Sequence, residues 1–196
     1  VLAWQDLDRP AFRVQSTLTA ASPVGAVAGS LAVTRMPGDP IRYDASLETD
    51  SLDPGALLQR PALASRLNGR VQVKGTGLRR DSTLQTQVDV RLRPSLVVGQ
   101  WMDSLSLAAD VTGRRLRGTL DVLQRQGGRF RGRATVDARP ATPQYEVAVT
   151  GSEIDLGPGR GPWLAGLPST RLNGAVTLDG RGTSWDALQG TLSILV

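Results

Sequence analysis

The run RLNGAVTLDGRG at Arg171 to Gly182 repeats, almost residue for residue, the run RLNGRVQVKGTG at Arg66 to Gly77. In both copies an apolar residue or a glycine takes every second position: Leu67, Gly69, Val71, Val73, Gly75 and Gly77, then Leu172, Gly174, Val176, Leu178, Gly180 and Gly182. Asn, Arg, Gln, Lys, Thr and Asp stand between them. A period of two describes a β-strand with one apolar face and one wet face.

The echo extends upstream, where YDASLETDSLD at Tyr43 to Asp53 aligns with YEVAVTGSEID at Tyr145 to Asp155. Each is followed by a loop rich in Pro, Gly and Leu before its RLNG strand. The chain therefore divides into two tandem units of roughly a hundred residues, residues 1–102 with an incomplete start and residues 103–196 with a truncated end. Stacked units propagate one apolar surface instead of closing separate cores.

Alternation fills the rest of the chain. It runs through Phe12, Val14 and Leu18, through Val27, Leu31 and Val33 after a Ser22-Pro23 turn, and through Leu84, Val88, Val90 and Leu92. It resumes in Leu105, Leu107 and Val111, in Leu116, Leu120 and Val122, in Phe130, Ala134 and Val136, and in Val147 and Val149. Turn residues separate these runs, so roughly ten or eleven strands pair antiparallel with their neighbours in sequence. Helix is expected only in short insertions, the first from Asp53 as N-cap through Pro54 to Gln59. The second insertion, residues 157–166, carries Trp163 and Leu164 among glycines and prolines.

Composition narrows the chemistry. Cysteine and histidine are both absent from the 196 residues, which removes disulfides, thiol nucleophiles, Ser/His/Asp triads and the usual zinc sites. No cofactor, metal or nucleic acid is expected. The net charge of +5, with 22 of 23 basic residues arginine, reads as a solvated face. No apolar run approaches the length of a membrane span. The chain opens without Met and ends inside an apolar strand, and we expect it to be a segment of something longer.

Two architectures satisfy the pattern. In a β-sandwich two sheets bury their apolar faces against each other; in a single curved and twisted antiparallel sheet, a β-groove, the apolar face lines an open trough. Glycines mixed into the apolar face and an aromatic content of 4% favour the groove. Its lining would be Leu67, Val71, Val73, Leu84, Val88, Val90, Leu105, Leu107, Leu116, Leu120, Val122, Val136, Val147, Val149, Leu172, Val176 and Leu178. A trough about 50 Å long calls for an apolar occupant, and phospholipid acyl chains fit it.

The phrase built from Leu52 to Ala64, RLNGRVQVKGTG and the strand Leu84 to Leu92 resembles the repeats of the AsmA-like superfamily, those of TamB type most of all. The second copy adds Trp185 to Leu192, WDALQGTL, similar to the continuation of those repeats. The resemblance implies a non-enzymatic periplasmic β-groove held to the inner membrane by a segment outside this one. It also implies phospholipid transfer toward the outer membrane, support of outer-membrane assembly, and an outer-membrane barrel protein as partner through other parts of the protein. The alternative is a structural or adhesive β-sandwich repeat of a bacterial surface protein.

Other features read as structural. Asp53 and Asp155, about a hundred residues apart, suit caps or turns better than a glycosidase carboxylate pair. RQGGRFRGR at Arg125 to Arg133 keeps strand register and reads as a turn with a basic outer face, not a nucleic-acid segment. Gly75-Thr76-Gly77 and Gly180-Arg181-Gly182 fit bends in a curved sheet. Trp101, Trp163 and Trp185 fit packing at unit ends.

Overall fold

A computed structural model describes residues 11–77, 84–97, 99–125, 127–155, 171–182 and 189–195. Strands dominate: β1 (Phe12–Ser22), β2 (Gly25–Arg35), β3 (Arg42–Leu52), β4 (Leu67–Thr76), β5 (Gln85–Leu92) and the short β6 (Ser95–Val97). They continue as β7 (Gln100–Thr112), β8 (Arg115–Gln124), β9 (Arg129–Asp137), β10 (Gln144–Asp155), β11 (Arg171–Arg181) and β12 (Gln189–Leu195).

The fold is all-β, a single open, curved antiparallel sheet. Its strand order is β1-β2-β3-β4-β5-β7-β8-β9-β10-β11-β12, with β6 paired to β7 off that path. Every step except β5-β7, which passes over the short β6, pairs strands consecutive in sequence, as short connections between alternating runs require. The hairpin from Thr112 to Arg115 turns on Gly113 at φ 56°, a conformation matched to two-residue loops. The divide between units at residues 102 and 103 falls inside β7, which pairs with both β5 and β8, its register with β8 shifting between Met102 and Ser104.

The RLNG phrase has a structural reason visible in both copies. In β3 the register slips between Thr49 and Leu52, and in β10 between Gly151 and Ile154. Each slip contains a non-glycine residue in the left-handed region, Ser51 at φ 54° and Glu153 at φ 49°. A bulge leaves an amide without a ladder partner, and the asparagine of RLNG supplies one. Asn68 Oδ1 accepts from Ser51 N at 2.8 Å, and Asn173 Oδ1 accepts from Glu153 N at 2.8 Å. Asn68 Nδ2 also donates to Pro94 O at 2.8 Å, tying β4 to the segment that enters β6.

The first insertion forms a short α1 (Pro54–Leu57) and a 3-10 turn at Pro61–Leu63. Asp53 caps α1 and closes the loop, accepting from Gly55 N at 2.9 Å, Ala56 N at 3.3 Å and Ser65 N at 3.1 Å. The helix is shorter than the sequence suggests because Leu57 and Leu58 stay exposed, so no tertiary packing extends it. Pro61 opens the 3-10 turn that follows. The second insertion, Trp163 and Trp185 lie outside the described residues.

Little of the sheet is sealed. Val122 and Ile154 are the buried hydrophobic residues among those described, with Thr49, Ser95 and Gln124 the buried polar ones. Ser95 is wholly enclosed, its hydroxyl accepting from Asn68 N at 3.0 Å and donating to Arg93 O at 2.8 Å. These residues cluster at the strand ends near the bulges.

Candidate functional site

Directly opposed residues of an antiparallel pair project to the same face, so the registers can be followed across the sheet. One row runs Leu18, Gly29, Leu47, Val71, Val90, Leu107, Leu120, Gly132, Val149 and Val176. Beside it runs Ser16, Leu31, Ala45, Val73, Val88, Ala109, Gly118, Ala134, Val147 and Leu178. The first row has no polar side chain, and the second has none after Ser16. Both rows extend in register to β12, at Ile194 and Leu192. Crossing the full path of strands at ~4.8 Å each gives an aliphatic strip roughly 48 Å long.

Two further rows flank the strip on the same face. On one side lie Val14, Val33, Tyr43, Gly75, Thr86, Val111, Leu116, Val136, Tyr145 and Gly180. On the other lie Ala20, Val27, Thr49, Gly69, Leu92, Leu105, Val122, Phe130, Gly151 and Gly174. The lining residues read from the sequence therefore share one face, with three placed differently. Leu67 stands beyond the bulge opposite Leu52. Leu84 precedes β5 and is half-buried. Leu172 is in register with Ile154, and its side chain lies outside those described. Leu47, Leu92, Val111 and Phe130 join the face through the same alternation.

Nothing in the described chain covers this face. Most of its aliphatic residues are half-buried by their own neighbours, while Leu18 is 54% exposed, Leu31 43%, Leu116 37% and Val176 38%. A second sheet packed against it would bring such residues close to complete burial.

The outer row has a construction of its own. Tyr43 is opposite Gly75, and its ring occupies the space that a side chain at Gly75 would take: a Cβ there would stand 2.5 Å from Tyr43 Oη. The ring reaches across β4, and its hydroxyl meets Thr86 Oγ1 on β5 at 2.5 Å. Tyr145 lies over Gly180 in the same manner, 2.5 Å from Cε2 to the place of a Cβ. The shared Tyr and Gly of the two units were the sequence signal for this pairing, legible only once the register is known.

The other face is polar and carries ion pairs. Glu48 and Arg70 are opposed in register and joined through Arg70 Nε at 2.9 Å; Lys74 meets Asp44 at 3.2 Å. Asp121 accepts from Arg129 Nε at 2.9 Å and lies 3.5 Å from Arg131. Arg129, Arg131 and Arg133 thus form the basic outer face expected of RQGGRFRGR, with Phe130 on the apolar side. The hydrogen bond from Arg70 holds the Glu48 carboxyl below its ordinary range, and that from Arg129 does the same for Asp121. Exposed pairs of this kind contribute little to stability individually.

One cleft is lined by Arg115, Asp137, Gln144, Tyr145, Gly180 and Arg181, and another by Tyr43, Lys74, Gly75, Thr86, Gln87 and Asp110. Trp101 is exposed, with the Arg125 guanidinium 4.2 Å from its ring centre. No group of three or more His, Cys, Asp or Glu among the described residues could hold a metal ion, and no helix among them is long and apolar enough to cross a membrane. No protein-family model, curated protein or solved structure matches the chain.

Proposed function

We propose that this chain is a segment of an AsmA-like, TamB-type envelope protein whose apolar sheet face carries phospholipid acyl chains across the periplasm. In this reading the full-length protein is anchored in the inner membrane, meets an outer-membrane barrel protein through other segments, and supports outer-membrane assembly. The observation that carries it is the uncovered aliphatic strip, continuous in register across both units.

An open apolar strip of this length exceeds what a solitary soluble domain leaves to water. A lipid tail laid along it gains ~0.8 kcal/mol for each methylene removed from water, without needing a specific polar contact. The ion-paired opposite face keeps the assembly solvated. The surface-module alternative needs a paired sheet to seal the same residues, and the described chain forms one sheet.

Lipid extraction tests the proposal. The purified chain is expected to carry phospholipid detectable by mass spectrometry after solvent extraction, and Leu107→Asp, at mid-strip, to carry several-fold less while keeping its β-sheet circular dichroism. A chain free of lipid after exposure to phospholipid vesicles would overturn it.

A further inference from the structure

Large hydrophobic side chains exposed away from the apolar face are not scattered. Among the described residues Met36 and Leu195 stand apart, while Leu57, Leu58, Leu63, Trp101 and Leu123 gather at one end of the sheet, where β3 leads into β4, β5 into β7 and β8 into β9. Leu57 is 61% exposed, Leu58 57% and Trp101 41%. Neighbouring ends from β3 to β8 carry them, roughly 19 Å of rim.

The exposure is built in. The insertion between β3 and β4 closes on itself: the Asp53 carboxylate gathers the amides of Gly55, Ala56 and Ser65, and a Cβ at Gly55 would stand 2.5 Å from Ala64 N. A loop held this firmly keeps its leucines turned outward.

Cations stand among them. Arg60, Arg66 and Arg93 are exposed, and neither Arg60 nor Arg66 has an ion pair among the described residues. Arg66 bridges to Leu96, Leu96 pairs with Trp101, and Arg125 donates its amide to Trp101 O at 3.2 Å, so that arginine, leucine, tryptophan and arginine follow one another across the strand ends. Asp103 is paired with Arg125 at 3.5 Å and Asp53 with its amides, which leaves positive charge beside the leucines. This is the composition of a surface that enters the boundary of an anionic bilayer: leucines pass the headgroups, the indole stops among them, and guanidinium groups take the phosphates.

We propose that this rim seats the protein on an anionic phospholipid bilayer, with Leu57, Leu58 and Leu63 in the acyl boundary and Arg60, Arg66 and Arg93 on lipid phosphates. The inference stands independently of lipid carriage. In this seating the strands rise from the membrane and the aliphatic strip runs parallel to it, so this stretch of the protein lies along a membrane surface.

The test is co-sedimentation of the full chain with phosphatidylglycerol/phosphatidylethanolamine vesicles and, separately, with phosphatidylcholine vesicles. The wild type is expected to bind the first about ten-fold more tightly than the second. Leu57→Asp combined with Leu58→Asp should lower affinity for both by about ten-fold or more. Arg60→Gln combined with Arg66→Gln should lower it about ten-fold on the anionic vesicles and little on the others. Leu107→Asp, in the strip, should bind vesicles as the wild type does. Unchanged binding in the leucine and arginine variants, or loss of binding in Leu107→Asp alone, would overturn the inference while leaving lipid carriage intact. A wild type that stays in the supernatant with anionic vesicles would overturn it too, whatever lipid the strip has extracted. If the leucine variant fails to fold, the arginine variant decides.

Discussion

The ring of Tyr43 lies on Gly75, the residue directly opposite it on the neighbouring strand, so closely that a methyl group at position 75 would stand 2.6 Å from the ring carbon bearing the hydroxyl. The glycine is there to be covered, and the tyrosine restores the packing that a strand glycine forfeits. At Gly75 a Cβ would also meet the backbone oxygen of Gln85 at 2.4 Å, whereas at Gly180 the nearest atoms belong to the Tyr145 ring alone. Gly75→Ala should therefore destabilise by about 1–3 kcal/mol and Gly180→Ala by less, as measured by urea unfolding. Equal costs would contradict the packing described.

Asparagine in the RLNG phrase serves the bulge. Asn68 both accepts from Ser51 N and donates to Pro94 O, while Asn173 makes its bond through Oδ1 to Glu153 N. Asn173→Asp keeps the acceptor and should be nearly neutral. Asn68→Asp loses the donor that Pro94 O requires and should cost about 1–2 kcal/mol. Unfolding midpoints of the two variants check the asymmetry, and a reversed order would refute it.

Two glycines of the apolar face are not demanded by the fold. A Cβ at Gly118 would meet nothing closer than 3.6 Å, and one at Gly132 nothing closer than 3.7 Å, but one at Gly29 would strike Ser46 O at 2.4 Å. Gly118→Ala and Gly132→Ala are expected to stabilise by roughly 0.5–1 kcal/mol, and Gly29→Ala to destabilise. Thermal melts distinguish these outcomes.

Acid should weaken the fold through a few identifiable carboxylates. Asp53 is held below its ordinary range, chiefly by the backbone amide of Ser65, and Glu48 and Asp121 by their arginine partners. Because the folded values lie below the unfolded ones, the stabilisation is complete above the ordinary carboxylate range, around pH 4, and disappears as pH falls through the folded values. Asp53→Asn keeps a cap acceptor without the titration. Its melting temperature should fall less between pH 7 and pH 3 than that of the wild type, and an equal fall would exclude Asp53 as a contributor.

Strand content, antiparallel order and the shared face were legible because period-two alternation is read directly from residues such as Val71, Val73, Val88 and Val90. The N-cap at Asp53 was legible from Asp-Pro at a helix start. The bulges at Ser51 and Glu153 were not, since a left-handed serine or glutamate carries no sequence mark; their signature lay about twenty residues downstream, in Asn68 and Asn173. Tyrosine over glycine also escaped, because the partners are brought together by register and not by spacing. Alternation could not choose between a sealed and an open face; the choice became visible in the half-exposed row from Leu18 to Val176.

The most direct measurement of the central claim places photo-crosslinking residues at Val73 and Val176 on the apolar face, and at their neighbours Gln72 and Thr177 on the polar face, in the presence of phospholipid vesicles. Phospholipid adducts at positions 73 and 176 and none at 72 and 177 are the expected result. Adducts on both faces alike, or on neither, would contradict the account.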